Sequence, residues 1–383
     1  SPVIYEHGGV GASGDLVQLA HLALSMIGEG EVYFHNNRIP TKEAMDACNL
    51  SPITIKIREG LSLINGTSIM TGIGIVNAIY AKRLFSWAVM ASSIINEIIG
   101  SYDDGFSTGL NSLKLHKGQN EVASIMRSIL ADSHLLKKRH THLYSRKVTE
   151  KVIKEKVQEY YSLRCVPQVL GAIYDTIEYT CDVLVNEANS VNDNPVIDAD
   201  VQNVFHGGNF HGDYISLEMD KLKIVVTKLT MLMERQLNFL LNPNLNGKFP
   251  PFVNLGVLGL NLGMQGVQFT ATSTTAECQT LSFPNYVHSI PNNNDNQDIV
   301  SMGTNSALIA KKVIENSYEV MAIYYISILQ GIEYIKVQEK MATKTRTVYN
   351  NLRNLVPAFI EDSVKYKEVA LVKEHLMNND PII

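Results

Sequence analysis

Residues 214–241 read YISLEMDKLKIVVTKLTMLMERQLNFLL, an amphipathic stretch long enough for about seven helical turns at 3.6 residues each. Helical patterning continues outward on both sides. Residues 305–335 and 361–377 are two further candidate helices towards the C-terminus. Towards the N-terminus, Pro167 interrupts the pattern over 154–189, which predicts two helices or one kinked helix. Residues 75–99 form a long candidate helix carrying Trp87. Residues 15–29 place Leu16, Leu19, Leu22, Ala23, Met26 and Ile27 at helical spacing, with Gly28 and Gly30 as the stop. Strand-like alternation is confined to 32–34 and 54–57. No repeat and no linker-like segment appears. The expectation is an all-α protein built as a bundle of long helices. The most charged stretch, 137–156, reads as solvated or as lying near a chain boundary.

Composition narrows the function. The chain has 383 residues, 45% apolar and 19% charged, with ordinary Gly and Pro counts of 25 and 12, so it is globular rather than disordered or fibrous. At ~150 residues per domain, two or three domains or one large one are expected. A net charge of −5, from 33 basic and 38 acidic side chains, gives no basic face for nucleic acid. Cys48, Cys165, Cys181 and Cys278 have no CxxC or metal spacing, which points to a reducing, cytoplasmic compartment and no metal. The start, SPVIYEHGG, has neither an initiator Met nor a signal peptide, and reads as a processed chain or part of a longer one.

Two long runs carry no charge: 60–81 (GLSLINGTSIMTGIGIVNAIYA) and 249–276 (FPPFVNLGVLGLNLGMQGVQFTATSTTA). They are too rich in Asn, Gln, Ser, Thr and Gly to face lipid, so no membrane span is expected. Deep burial is expected instead, either around a polar pocket or at a polar helix–helix interface, with each amide and hydroxyl satisfied internally.

Ahead of the first helix, residues 7–15 read HGGVGASGD. Gly9, Gly11 and Gly14 fit GxGxxG, but no strand precedes the pattern and no βαβ series surrounds it, so a nucleotide site is not expected. A P-loop is excluded because no GK[ST] follows. One reading is a glycine turn in which Ser13 or Asp15 caps the helix. A sharper reading is chemical. In a tight bend the Gly14 nitrogen can attack the Ala12 carbonyl carbon. Loss of two waters then closes a five-membered ring and turns the Ser13 side chain into an exocyclic methylene. Gly14 has no Cβ to hinder the approach, and Gly8, Gly9 and Gly11 permit the bend. The helix N-terminus places positive dipole beside such an electrophile.

With these residues, the sequence resembles the aromatic amino-acid ammonia-lyases, the histidine, phenylalanine and tyrosine enzymes with the related aminomutases. GGVGASGDLVQLAHLAL resembles their signature around the methylidene-imidazolone (MIO) group. LINGT (63–67), QEYYSLRCVPQ (158–168), NSVNDNPVID (189–198), GGNFHG (207–212) and NNDNQDIVSMGT (293–304) extend the resemblance over essentially the whole chain. It implies the helical aspartase/fumarase-like bundle, with an MIO turn at 8–15, a central bundle at roughly 60–335 and C-terminal helices at 336–383. It also implies a homotetramer whose active sites mix residues from several subunits, and an MIO formed from Ala12, Ser13 and Gly14 that needs neither metal nor nucleotide.

The resemblance also assigns residues. Arg164 holds the substrate carboxylate, for which its planar fork is suited, although an isolated Arg also serves as an ion pair. Tyr161 assists proton transfer or positions the substrate. Helical spacing puts Gln158, Tyr161 and Arg164 on one polar face. Asn65 contacts the MIO group and the amine, or is a buried structural Asn. Asn194 holds the carboxylate or the ring, or makes an Asx turn before Pro195. Phe210 packs on the MIO group, or is core. Glu277 and Gln297 contact the substrate, and a carboxylate at 277, ending a charge-free run, is expected to be buried and paired.

Asp298 and Ile299 after Gln297 resemble the NQDV pattern of tyrosine and phenylalanine enzymes, whereas Glu277 is shared with histidine enzymes. The expected reaction is L-tyrosine to 4-coumarate and ammonia. Histidine to urocanate is the alternative, followed by a phenylalanine ammonia-lyase or an aminomutase. Family members carry a catalytic tyrosine and a ring-selecting residue in a segment ahead of the position where this sequence begins. An inactive helical scaffold is therefore the reading from another class.

Overall fold

A computed structural model describes residues 1–145 and 157–383, so 146–156, within the charged stretch and the start of the 154–189 pattern, lie outside the described residues. In chain order the main elements are α1 (Leu16–Met26), β1 (Glu31–Phe34), β2 (Asn37–Pro40), α2 (Thr41–Ala47), α3 (Glu59–Ile64) and α4 (Ser68–Ile99). There follow α5 (Thr108–Asn111), α6 (Lys117–Ile129), α7 (Tyr161–Arg164), α8 (Val166–Ala188), β3 (Val196–Asp198) and β4 (Asn203–Phe205). The chain closes with α9 (Asp213–Leu241), α10 (Pro243–Asn246), α11 (Gln265–Leu281), α12 (Gly303–Ile335), α13 (Thr343–Leu355) and α14 (Tyr366–Asn378).

Local chemistry explains the boundaries. Pro167 sits in the first turn of α8, where its missing N–H costs nothing, so the 154–189 pattern resolves into two helices. Gly100, at φ +74°, ends α4 in the left-handed conformation that glycine tolerates. β1 and β2 form an antiparallel hairpin through His35 and Asn36, both left-handed, as a two-residue turn requires. The strand expected over 54–57 does not form. Those residues find no partner strand among the described residues, and an isolated alternating run cannot satisfy its own backbone. β3 and β4 make a second hairpin that the alternation did not announce.

Two compact units are built from interleaved stretches, residues 1–78, 179–223 and 283–312 in the first and 79–178, 224–282 and 313–383 in the second. In the first, Leu19 and Ala23 of α1, Met70 of α4, Met219 and Leu222 of α9 and Ala307 of α12 are buried. In the second, Ile94 and Ile95 of α4, Leu237 and Leu240 of α9 and Tyr324, Tyr325 and Leu329 of α12 are buried. Their polar atoms are satisfied. Tyr325 Oη donates to Trp87 O at 2.8 Å, and Tyr324 Oη donates to Gln236 Oε1 at 3.0 Å.

The charge-free runs depart from expectation. In the run over 249–276, Val257, Leu258, Leu260, Leu262 and Phe269 are exposed, Leu260 by 81%. The loop is nonetheless well held. Asp362 accepts from the Leu262 and Gly263 amides at 2.7 and 3.0 Å, and Asn254 Nδ2 donates to Asn261 O at 2.7 Å. In the run over 60–81, Gly66, Thr67, Met70 and Asn77 are buried while Ile75, Val76 and Ile79 are exposed. No helix among the described residues is long and apolar enough to cross a membrane.

Candidate active site

The glycine turn belongs to the first unit and is gripped from several sides. Ser13 and Gly14 have φ of +58° and +73°, so two successive residues are left-handed, which only glycine adopts without strain. Gly14 lies against the backbone of Gly66, where an added Cβ would stand 1.8 Å from the Gly66 carbonyl oxygen. The two strands of chain exchange hydrogen bonds. Asp15 N donates to Gly66 O at 2.8 Å, and Gly66 N donates to Ser13 O at 3.3 Å. On another side, Met302 N donates to Val10 O at 2.9 Å, and Ser301 Oγ and Gly212 N both donate to Gly11 O at 3.1 Å. Gln297 Nε2 donates to Ser13 Oγ at 3.2 Å. Ala12 is buried. Doubled left-handed geometry at Ser13 and Gly14, with small buried neighbours, fits a ring closed between Ala12 and Gly14.

Asp15 stands at the N-cap position of α1, but its side chain makes no capping bond there. Its Oδ2 accepts from Met70 N at 2.8 Å, in the first turn of α4, and its Oδ1 accepts from Thr304 Oγ1. Burial pushes its carboxyl above the usual carboxylate range, while the Thr304 hydroxyl and the Met70 and Ile69 amides pull it back.

Two amides lie in the same unit as the turn. Asn65 closes α3, and its Nδ2 donates to Asp193 Oδ1 at 2.8 Å. Asn194 makes no Asx turn with its side chain, because its Oδ1 accepts from Gly207 N at 2.9 Å. Phe210 is half-buried in the segment leading into α9. Gln297 pairs with Asn292 across Asn293, Asn294 and Asp295, three consecutive left-handed non-glycine residues. Such strain persists where surrounding structure over-determines it.

A separate group lies in the second unit. α7 is one turn long, and buried amides hold its backbone. Gln236 Nε2 donates to Ser162 O at 2.7 Å, and Asn96 Nδ2 donates to Leu163 O at 3.2 Å. Gln158 precedes the helix, whose cap Tyr160 is extended, so the expected shared helical face does not exist. A cavity of about 660 Å³ still gathers Gln158, Tyr161 and Arg164 with Arg235, Asn238 and Phe239. The Arg164 guanidinium stands 4.9 Å from the Tyr161 ring centroid. Its Nε is buried and has no hydrogen-bond partner among the described residues, a costly arrangement until an acceptor arrives. Gly105 touches the Arg164 backbone, and Arg139 Nη1 donates to Val157 O at 2.7 Å, one residue before Gln158.

Glu277 corrects an expectation. It is exposed on an open face of α11, and its Oε2 accepts from Asn316 Nδ2 at 2.8 Å. Sequence reasoning passed over Gly66, Gly105 and Asp193. The signal for Asp193 was present, as the one charge between Asn192 and Asn194.

Residues 1–354 match the family model described as aromatic amino acid lyase. A histidine ammonia-lyase of a Geobacillus species is 38% identical over 379 residues, 99% of this chain and 72% of that protein. A tyrosine ammonia-lyase of Cupriavidus metallidurans is 37% identical over 365 residues, 93% of this chain and 68% of that protein. Among solved structures, a tyrosine aminomutase of Streptomyces globisporus superposes with a TM-score of 0.94 at 33% identity, covering 98% of this chain and 72% of that one.

Proposed function

The chain belongs to the aromatic amino acid lyase family, a group of carbon–nitrogen lyases, and from that premise we propose that it eliminates ammonia from L-tyrosine to give trans-4-coumarate. The observation that carries the reading is the doubly left-handed turn at Ser13 and Gly14, clamped by Gly66 and by Ser301 and Met302, with Gln297 on the Ser13 hydroxyl. An MIO group made there from Ala12, Ser13 and Gly14 supplies an electrophile that no ordinary side chain offers.

The chain's own residues do the rest. Arg164, whose Nε has no partner among the described residues, binds the substrate carboxylate through charge-assisted hydrogen bonds. Tyr161, at the mouth of the same cavity, moves or holds a proton at its phenol oxygen, and Gln158 orients the substrate. Asn65 receives the amine, Asn194 steadies the carboxylate or the ring, and Phe210 packs beside the turn. Gln297 and Glu277 contact the substrate. The protein works as a cytoplasmic homotetramer whose active sites mix residues of several subunits. The rigidly held but exposed Val257, Leu258, Leu260 and Leu262 support that assembly, since apolar patches of this kind mark protein contacts.

Asp298 and Ile299 beside Gln297 favour tyrosine. Histidine is the second reading, favoured by Glu277 and by the activity named for the Geobacillus relative. The test is made on the full-length protein. Its intact mass is expected two waters below the encoded value, a deficit absent in Ser13→Ala. Incubation with tyrosine, phenylalanine and histidine is expected to build 4-coumarate absorbance from tyrosine alone. Urocanate alone transfers the assignment to histidine, β-tyrosine identifies an aminomutase, and an undehydrated native mass leaves only a helical scaffold.

A further inference from the structure

We propose that Asp193, backed by Arg58, is a positioning residue that dictates which atom Asn65 turns towards the substrate. The inference rests on the lyase reading above and adds to it a residue and a polarity. Asp193 Oδ1 accepts from Asn65 Nδ2 at 2.8 Å and from the Asn194 backbone amide at 2.6 Å. Its Oδ2 faces the Arg58 guanidinium at 3.9 Å, and Arg58 Nη2 also donates to Pro195 O at 3.1 Å. All these residues belong to the first unit, together with the glycine turn.

A carboxylate has lone pairs and no proton to give. Asn65 must therefore point its NH₂ at Asp193, and its carbonyl oxygen has no partner among the described residues. That oxygen is an acceptor, suited to an ammonium group. Asn194 is committed in the opposite sense. Its Oδ1 is taken by the Gly207 amide, which leaves its NH₂ as a donor suited to a carboxylate. The two neighbouring amides thus offer opposite polarity, and an α-amino acid carries the matching pair of groups. Arg58 keeps the carboxylate paired, although its own backbone is left-handed at φ +75°, a strained conformation for a non-glycine residue. Asn65 in turn precedes Gly66, the residue bonded to Ser13, so a change at Asp193 is felt beside the reacting turn.

The test compares Asp193→Asn with the double variant Asn65→Asp/Asp193→Asn in the full-length protein, with kinetics normalised to dehydrated protein by intact mass. The single variant lets the amide at 65 flip, and kcat is expected to fall roughly 10- to 100-fold with a melting temperature close to that of the parent. The double variant exchanges donor and acceptor across the same contact. The new carboxylate at 65 again presents an oxygen to the substrate, and most of the lost kcat is expected to return. A merely structural aspartate would instead lower the melting temperature of the single variant together with its kcat, and the double variant would restore both. A single variant within twofold of the parent in kcat and KM, or a double variant no better than the single, overturns the proposal. A parent that dehydrates yet releases ammonia from none of the three amino acids fails the lyase reading itself, and the positioning role falls with it.

Discussion

Gly105 illustrates how much a missing methyl group can control. A Cβ there would stand 2.9 Å from the Arg164 carbonyl oxygen, which is too close for either to stay in place. Gly105 itself has no left-handed backbone, so Gly105→Ala is permitted locally and its effect is transmitted to Arg164. The expected outcome is a KM for the aromatic amino acid raised roughly tenfold, with little change in kcat, because a charged hydrogen bond displaced from its acceptor forfeits about 1.5–3 kcal/mol. Steady-state kinetics beside a thermal melt check it, and an unchanged KM would separate Arg164 from the carboxylate. At this scale the sequence was legible where chemistry restricts the choice of residue. Ala12, Ser13 and Gly14 stood out because few triplets can cyclise. Asp15 did not. Its place before α1 announced a local cap, whereas its oxygens serve Met70 and Thr304, distant in sequence. The helical face expected to be shared by Gln158, Tyr161 and Arg164 failed for a related reason, since spacing of three residues implies a face only where a helix exists.

Helix α13 shows a boundary fixed by carboxylates from elsewhere in the chain. Glu97, buried on α4, accepts from Ala342 N at 2.5 Å and from Thr345 Oγ1 at 2.6 Å, while Asp132 accepts from Thr343 N at 3.2 Å. The two titrate in opposite senses. Burial raises the Glu97 carboxyl above its ordinary range, and nearby Asp132 adds to this. Bonds from the Thr343 hydroxyl and amide lower that of exposed Asp132. A raised carboxyl binds its proton more tightly when folded, so Glu97 contributes stability that is fully present below the ordinary carboxylate range and is lost as pH rises through its folded pKa. Asp132 contributes the reverse, a gain present above that range and lost in acid. Glu97→Gln, which keeps one acceptor for Ala342, is therefore expected to gain in melting temperature over the parent as pH is raised from about 5 to about 8. A gap that stays constant across those melts would mean that Glu97 does not titrate there. Element existence was readable for the long amphipathic helices, because their own periodicity specifies them. It was not readable for 54–57, nor for β3 and β4, because a strand depends on a partner that periodicity does not name.

For the whole molecule, the exposed leucines of 257–262 are the feature a lone chain explains least. Asp362 and Asn254 hold that loop in one shape while its apolar side chains face water, an arrangement suited to a partner surface. Leu260→Glu is expected to shift the proposed tetramer to smaller species by light scattering, with helical content retained. A tetramer of undiminished stability would move the contact elsewhere. The interleaving of the first unit bears on biosynthesis as well. Gly11 and Ser301, which meet at 3.1 Å, are 290 positions apart in the chain. A ribosome adds 290 residues after Gly11 before the second jaw of that vice exists. The proposed dehydration of Ser13 would therefore wait for residues far downstream, and the turn would mature only once Ser301 has been made and folded against it.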